Sequence, residues 1–190
     1  DPNIGVVAVP DERLDQLAAL SHSVKKIPAI VEFYDIAGLV RGANRGEGLG
    51  NQFLSHIREV NALVEVVRCF KAHEIIHIEK TIDPVRDMEI INTELALKDL
   101  ETLLKTLKKT EGEAKTGARE AQNDLEVLTR AKHVLESGQL LSHPSNSEIL
   151  KNSKIQELNL LTAKKQLYIL NGTLDDVPAQ LKDKIKILGA

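Results

Sequence analysis

Apolar residues recur along this chain at two different spacings, and the change from one to the other divides it. Up to Phe70 they come in short blocks. Ile4 to Val9 is β-branched and apolar and runs into Pro10-Asp11, which predicts a strand closing in a turn. Asp11 can cap a helix from about Glu12 to Ser21, with Leu14, Leu17 and Ala18 on one face. Ala29 to Tyr34 reads as the next strand. Asn51 to Val60 reads as a helix with Phe53, Leu54 and Ile57 inward. Ala62 to Phe70 is nearly continuous in apolar residues, as expected of a central strand buried on both faces, with Glu65 and Arg68 as polar interruptions.

From residue 85 to 138 helix formers dominate. Ile90, Leu97, Leu100, Leu104 and Leu107 fall at steps near three and four, with Thr93 filling one slot, which predicts a coiled-coil seam. Glu111-Gly112 and Thr116-Gly117 mark a break. A second helix carries Ala121, Leu125, Leu128 and Leu135, so an antiparallel hairpin is expected. Ser137-Gly138 ends it, His143 to Asn146 is a loop, and a short helical stretch covers Ile149 to Glu157. Gln166 to Asn171 is a third buried strand ending in Asn171-Gly172-Thr173. This order predicts an α/β domain interrupted by a helical arm: residues 1–84 the first part of the core, 85–150 the insertion, 151–190 the second part.

Composition narrows the function classes. The 190 residues suit one domain or one domain with an insertion. Apolar residues are 42% but aromatics only 3%, so aliphatic side chains must fill the core. Net charge is −3, so no global positive field draws in nucleic acid; DNA binding is not expected, and an RNA contact would need a local patch. The single cysteine, Cys69, excludes a disulfide within the chain and suits a reducing, cytoplasmic setting. No apolar stretch approaches the roughly 18 residues of a membrane span. The chain opens on Asp1 without Met or a signal-peptide pattern, and an internal piece of a longer protein is expected.

Candidate chemistry lies where the second strand ends. Tyr34-Asp35-Ile36-Ala37-Gly38-Leu39 is followed by a loop with Gly42, Gly46, Gly48 and Gly50. An Asp at a strand's carboxyl end can hold a metal-bound water, and a Gly just beyond lets a backbone N–H approach a phosphate. Asp35 and Gly38 are therefore candidates for sensing a terminal phosphate. The alternative for the local pattern is an ordinary βα loop with a capping Asp. The second candidate loop is Asn171 to Asp175; an Asn side-chain amide has both donor and acceptor and can pair with a purine edge.

The longer string Asp-Ile-Ala-Gly-Leu-Val-Arg-Gly-Ala-Asn-Arg-Gly-Glu-Gly-Leu-Gly-Asn-Gln-Phe-Leu, residues 35 to 54, closely resembles the switch II region of the YchF/Obg-like ATPases. Asp1-Pro-Asn, Gly5-Val-Val with Pro10-Asp11, Val67-Arg-Cys-Phe70, Ile82-Asp83-Pro84 and Asn92-Thr-Glu-Leu-Ala-Leu97 extend the resemblance, which weakens after about Thr110. It implies a P-loop NTPase-like, GTPase-type α/β sheet with an inserted α-helical coiled-coil hairpin. It also implies hydrolysis of the β–γ phosphate bond of ATP or GTP with Mg²⁺, and association with the ribosome, including its RNA. Asp35 would hold water on Mg²⁺, and the Gly38 N–H would meet the γ-phosphate. Leu39 would stand where many GTPases carry the glutamine that orients the attacking water, so basal hydrolysis is expected to be slow. Asn171, Gly172, Thr173 and Leu174 would form the base-reading turn. The family pattern there resembles Asn-x-x-Glu; this chain places Leu174 at the Glu position and Asp175 after it.

No Gly-x-x-x-x-Gly-Lys-Ser/Thr stretch occurs in the 190 residues, nor do they include the carboxy-terminal TGS-type β domain that the resemblance implies. Activity is expected of the complete protein, and little of these residues alone. His73 and His77 sit at metal-ligand spacing on a helix but lack a third ligand. Lys98, Lys105, Lys108, Lys109 and Lys115 are interleaved with Glu101, Glu111 and Glu113, a solvated face or a local RNA-touching stripe. The rival to the enzyme is a non-catalytic module in which the core only displays the helical hairpin to a ribosome, RNA or protein.

Overall fold

The computed structural model describes residues 3–35, 57–72 and 74–182. They fall into two compact units, residues 1–38 and 39–190. The first contains β1 (Asn3–Ala8), α1 (Glu12–Leu20) and β2 (Ile30–Asp35). β1 and β2 are antiparallel, with Asn3 opposite Asp35 and Ala8 opposite Ile30. Asp11 caps α1: its carboxylate accepts the Arg13 backbone N–H at 3.0 Å and the Arg13 guanidinium at 2.8 and 2.7 Å. Strand, helix and strand are as expected, but each strand is displaced by one residue, so Asp35 closes β2.

The second unit contains β3 (Ala62–Arg68), α2 (Pro84–Ala114), α3 (Arg119–Glu136), α4 (Ser147–Leu150), α5 (Ser153–Glu157) and β4 (Lys165–Asn171). β3 and β4 are parallel neighbours, with Ala62 opposite Lys165 and Arg68 opposite Asn171. Parallel neighbours need a long crossover, and here the whole helical arm is that crossover. Two expectations about these strands are corrected. β3 stops at Arg68, and neither β3 nor β4 is buried on both faces. Val67, Tyr168 and Leu170 pack with Val85 and Met88 of α2 and with Leu181. On the opposite face Val64, Val66, Leu167 and Ile169 are 40, 65, 61 and 48% exposed. Of the helix expected at 51–60, residues 51–56 lie outside the described residues, and 57–59 are helical with Ile57 buried.

α2 starts where its sequence signals it. Asp83 accepts the Arg86 N–H at 3.1 Å, and Pro84 takes the first turn, where no N–H is needed. Its buried stripe differs from the expected seam. Ala96, Leu103 and Leu107 are buried with Leu100 beside them, whereas Leu97 and Leu104 are 41 and 50% exposed. The seam thus runs one residue earlier at two steps. Ala96 was passed over because it is small, yet a small side chain is what lets a neighbouring segment approach. α2 also continues through Gly112 to Ala114; the break comes at Gly117, whose φ of +86° suits glycine. α3 buries Ala121, Leu128, Ala131 and Leu135 against α2 and ends, as expected, at Ser137-Gly138. Pro144–Asn146 is a 3₁₀ turn, not an open loop, and the 149–157 stretch is two short helices.

One buried carboxylate joins arm to sheet. Asp99 of α2 is fully buried. It accepts the Leu161 N–H at 2.9 Å, the Thr162 N–H at 2.7 Å and the Thr162 hydroxyl at 2.6 Å. Burial pushes its pKa up, against these three bonds, which favour the ionised form. The 3₁₀ turn Leu161–Ala163 that feeds β4 is thereby fixed to the middle of α2. Asp99→Ala would leave two buried N–H groups unpaired, so we expect a loss of about 3 kcal/mol or more in urea unfolding; a loss below about 1 kcal/mol would remove Asp99 as the joint.

A second polar group lies between β3 and the start of α2. Glu65 is pushed up to about 8, first by burial and then by the negative charge of Asp87. Asp87 itself is met by Arg86 at 2.9 Å and by His77 Nε2 at 3.0 Å, a contact that becomes an ion pair when His77 is protonated. Between pH 4.5 and about 8 the folded chain holds a Glu65 proton that the unfolded chain releases. Stability contributed by Glu65 therefore falls as pH rises through that window, by at most about 1.4 kcal/mol per pH unit. Glu65→Gln should flatten the decline in urea midpoint between about pH 5.5 and 8.5; an unchanged decline would show that Glu65 ionises normally.

Candidate functional site

Ligands of open α/β sheets bind beyond the carboxyl ends of the strands, so the segments following β2, β3 and β4 are where chemistry is sought. Asp35 is the last residue of β2 and is exposed, so its carboxylate is available to solvent and to a hydrated cation. Gly38 and Leu39 lie outside the described residues, as does the glycine-rich stretch to Gly50.

The turn after β4 is built by a short set of contacts. The Cys69 N–H donates to Asn171 O at 2.8 Å, carrying the parallel ladder one step beyond Arg68. Asn171 closes β4 and is exposed. The chain then bends through Gly172 and Thr173, and the Asp176 N–H donates to Thr173 O at 3.1 Å. The Asp176 carboxylate reaches back: Oδ2 accepts the Thr173 N–H at 2.9 Å and the Thr173 hydroxyl at 2.8 Å. These bonds, with a smaller contribution from the Lys71 charge, hold the Asp176 pKa below the usual carboxylate value. Gly172 is required for space. A Cβ there would lie 3.2 Å from the Cβ atoms of both Asp176 and Cys69. Leu174 is 80% exposed and makes no polar contribution to the turn.

The neighbouring turn, after β3, is organised by Arg68. Its guanidinium donates to Phe70 O at 3.2 Å, Ala72 O at 3.0 Å and Ile75 O at 3.1 Å, and sits 4.7 Å from the centre of the Phe70 ring. Cys69, buried beneath the β4 turn, has its thiol pKa raised by burial and then by the charge of Asp176.

The structure thus gathers Asn171, Gly172, Thr173 and Leu174 on one turn and sets Cys69 against it. Asp35 belongs to the other compact unit. Three contributors were missed in the sequence. Arg68 looked like a flaw in a strand, though an Arg at a strand's end is a ready donor for the carbonyls of the following loop. Asp176 was overlooked in favour of Asp175, and Lys71 carried no local pattern. Other candidates recede. His73 lies outside the described residues, His77 is engaged by Asp87, and no cluster of three metal-ligating side chains occurs among the described residues. A cleft of about 440 Å³ lies beside Arg58 and the cationic Lys164. Its ammonium, however, already donates to Arg58 O, Val60 O and Asn159 Oδ1 at 3.0, 2.7 and 3.0 Å. On the arm, Lys98 and Lys105 both bond Glu101, at 2.8 and 2.7 Å, which favours a solvated, self-paired face over a basic stripe.

Comparison with known proteins bears on the same segments. No family model matches the chain. The "Ribosome-binding ATPase YchF" of Escherichia coli O157:H7 is 45% identical over 172 residues, 90% of this chain and 47% of that protein. The chain resembles the YchF/Obg-like ATPases over nine-tenths of its length. The "Obg-like ATPase 1" of Saccharomyces cerevisiae is 44% identical over 179 residues, covering 90% of this chain and 45% of that protein. The solved structure of the Schizosaccharomyces pombe YchF GTPase superposes with a TM-score of 0.71 at 37% identity, over 97% of this chain and 51% of that one. The fold is accordingly the α/β P-loop NTPase type with an inserted helical hairpin, over the part that the chain spans. That part is about half the length of the curated relatives it matches.

Because the Gly172 position is walled by two Cβ atoms, Gly172→Ala should destabilise the chain by about 1–2 kcal/mol. Leu174→Ala, on the exposed side of the same turn, should stay within about 0.5 kcal/mol. Equal urea midpoints for the two variants would contradict the packing described.

Proposed function

We propose that this chain supplies the central part of the nucleotide-binding core of a cytoplasmic, ribosome-associated NTPase. The complete protein would hydrolyse the β–γ phosphate bond of ATP or GTP with Mg²⁺. Residues 1–84 and 151–190 would form the core, and 85–150 the helical arm between them. The observation that carries the proposal is the parallel pairing of β3 and β4: it presents Asn171 at a strand's carboxyl end, in a chain close to half identical to proteins named ribosome-binding ATPases. No helix among the described residues is long and apolar enough to cross a membrane.

In the proposed mechanism Asn171 offers its amide to a purine edge, and Gly172, Thr173 and Leu174 complete the turn against the base. Leu174 offers no carboxylate for the guanine N1–H and amino group, so rejection of ATP in favour of GTP is not built in at this position. Asp35 would hold water on Mg²⁺ through its exposed carboxylate, a fitting partner for that small, hard ion, which would supply neutralisation of phosphate charge. Gly38 donates its backbone N–H to the γ-phosphate. Leu39 neither donates nor accepts, so it leaves the attacking water unoriented and keeps the basal rate low until a backbone group, an ion or a partner contributes.

The test is isothermal titration of the complete protein, wild type against Asp35→Ala. With Mg²⁺ present, ATP affinity should fall by about tenfold or more in the variant. With the metal chelated, the two proteins should bind alike. Equal affinities in Mg²⁺ would take Asp35 out of the site.

A further inference from the structure

We infer that Asp176 is the positioning residue of the base-reading turn: it fixes the path of Asn171-Gly172-Thr173 and does not itself read the base. The inference rests on the proposal that Asn171 to Leu174 meet a nucleobase, and it assigns a role to a residue outside that set.

Three observations converge on Asp176. First, a single oxygen, Oδ2, accepts both the backbone N–H and the hydroxyl of Thr173, at 2.9 and 2.8 Å. Both bonds draw that oxygen back onto Thr173. Second, Gly172 is confined between the Cβ atoms of Asp176 and Cys69, each 3.2 Å from where a Gly172 Cβ would stand. The side chain that binds Thr173 therefore also walls the residue after Asn171. Third, the position where a base-reading carboxylate would be expected is occupied by Leu174, 80% exposed and apolar. An Asp two residues later invites the interpretation that it has taken over base reading. Its geometry argues otherwise. An Asn amide reads a purine edge only if it is held in plane, and a turn with one glycine is too pliable to hold it without a tether. Asp176 is that tether, and Lys71 lies near enough to favour its charged form.

The experiment uses the complete protein with Asp176→Ala, Asp176→Asn, Thr173→Ala and Asn171→Ala, measuring kcat and KM for ATP and for GTP. Inhibition by inorganic tripolyphosphate, which has phosphates and no base, is followed in parallel. Asp176→Ala should raise KM about tenfold for both nucleotides, with kcat and tripolyphosphate inhibition within about twofold of wild type. Asp176→Asn keeps an oxygen acceptor for Thr173 and should restore KM to within about threefold. If Asp176→Ala does not fold, Thr173→Ala removes one of the two donors and should raise KM about threefold.

Four results would overturn the inference. If Asn171→Ala raises KM while Asp176→Ala and Thr173→Ala do not, the turn reads the base without a tether. If Asp176→Asn changes KM for GTP alone, Asp176 reads guanine directly. If kcat and tripolyphosphate inhibition move together with KM, Asp176 serves the fold at large. If Asn171→Ala itself leaves both KM values unchanged, base reading by this turn fails, and the positioning role fails with it.

Discussion

The second unit depends on one buried carboxylate. Asp99 sits in the middle of a helix about 45 Å long and takes three hydrogen bonds from two consecutive residues, Leu161 and Thr162, just before β4 begins. Without that joint, a 31-residue helix would be tied to the sheet by apolar packing and by the side-chain pair Asn92 and Tyr168 at 3.3 Å, which tolerate sliding better than three buried bonds. With it, the start of β4 is fixed relative to α2. β4 then pairs with β3 in a single register, and Asn171 arrives beside Arg68 and Cys69. The arm is thus the crossover that sets where the candidate base-reading turn stands.

The turns at the strand ends follow the same economy on a smaller scale. Arg68 gathers three carbonyls of one turn, and Asp176 gathers two donors of the other. Each charged group satisfies backbone polarity that a bare loop would leave to solvent. Arg68 and Asp176 Oδ2 are thereby engaged by the protein itself. The exposed residues of the β4 turn include Asn171 with its amide, Leu174 with nothing polar and Asp175; in the other unit the carboxylate of Asp35 is exposed.

Much of this was legible in the residues. The strand-ending Asp35 and Asn171, the Asp83-Pro84 helix start and the Ser137-Gly138 stop are local signals, each with a local physical cause. The family was legible in the 35–54 string, and the relatives bear it out. The misreadings of burial were matters of long-range contact. A run of apolar residues in β3 looks buried on both sides, but only packing decides, and Val66 is 65% exposed. The α2 seam was drawn through Leu97 and Leu104 because large residues catch the eye, although the buried stripe uses Ala96 and Leu103. Asp99 carries no local signal, because its partners are more than sixty positions away in sequence. Asp176 was legible only in part, since nothing in Asn-Gly-Thr-Leu-Asp-Asp tells which of two acids turns back.

The central proposal is that the segments ending β2 and β4 each respond to nucleotide. Amide hydrogen exchange of the complete protein, with and without ATP and Mg²⁺, tests it most directly. The account predicts slowed exchange at 34–38 and at 171–176 on nucleotide addition, with residues 119–136 of the arm unchanged. Protection confined to the arm, or absent from both strand-end segments while nucleotide is bound, would contradict it.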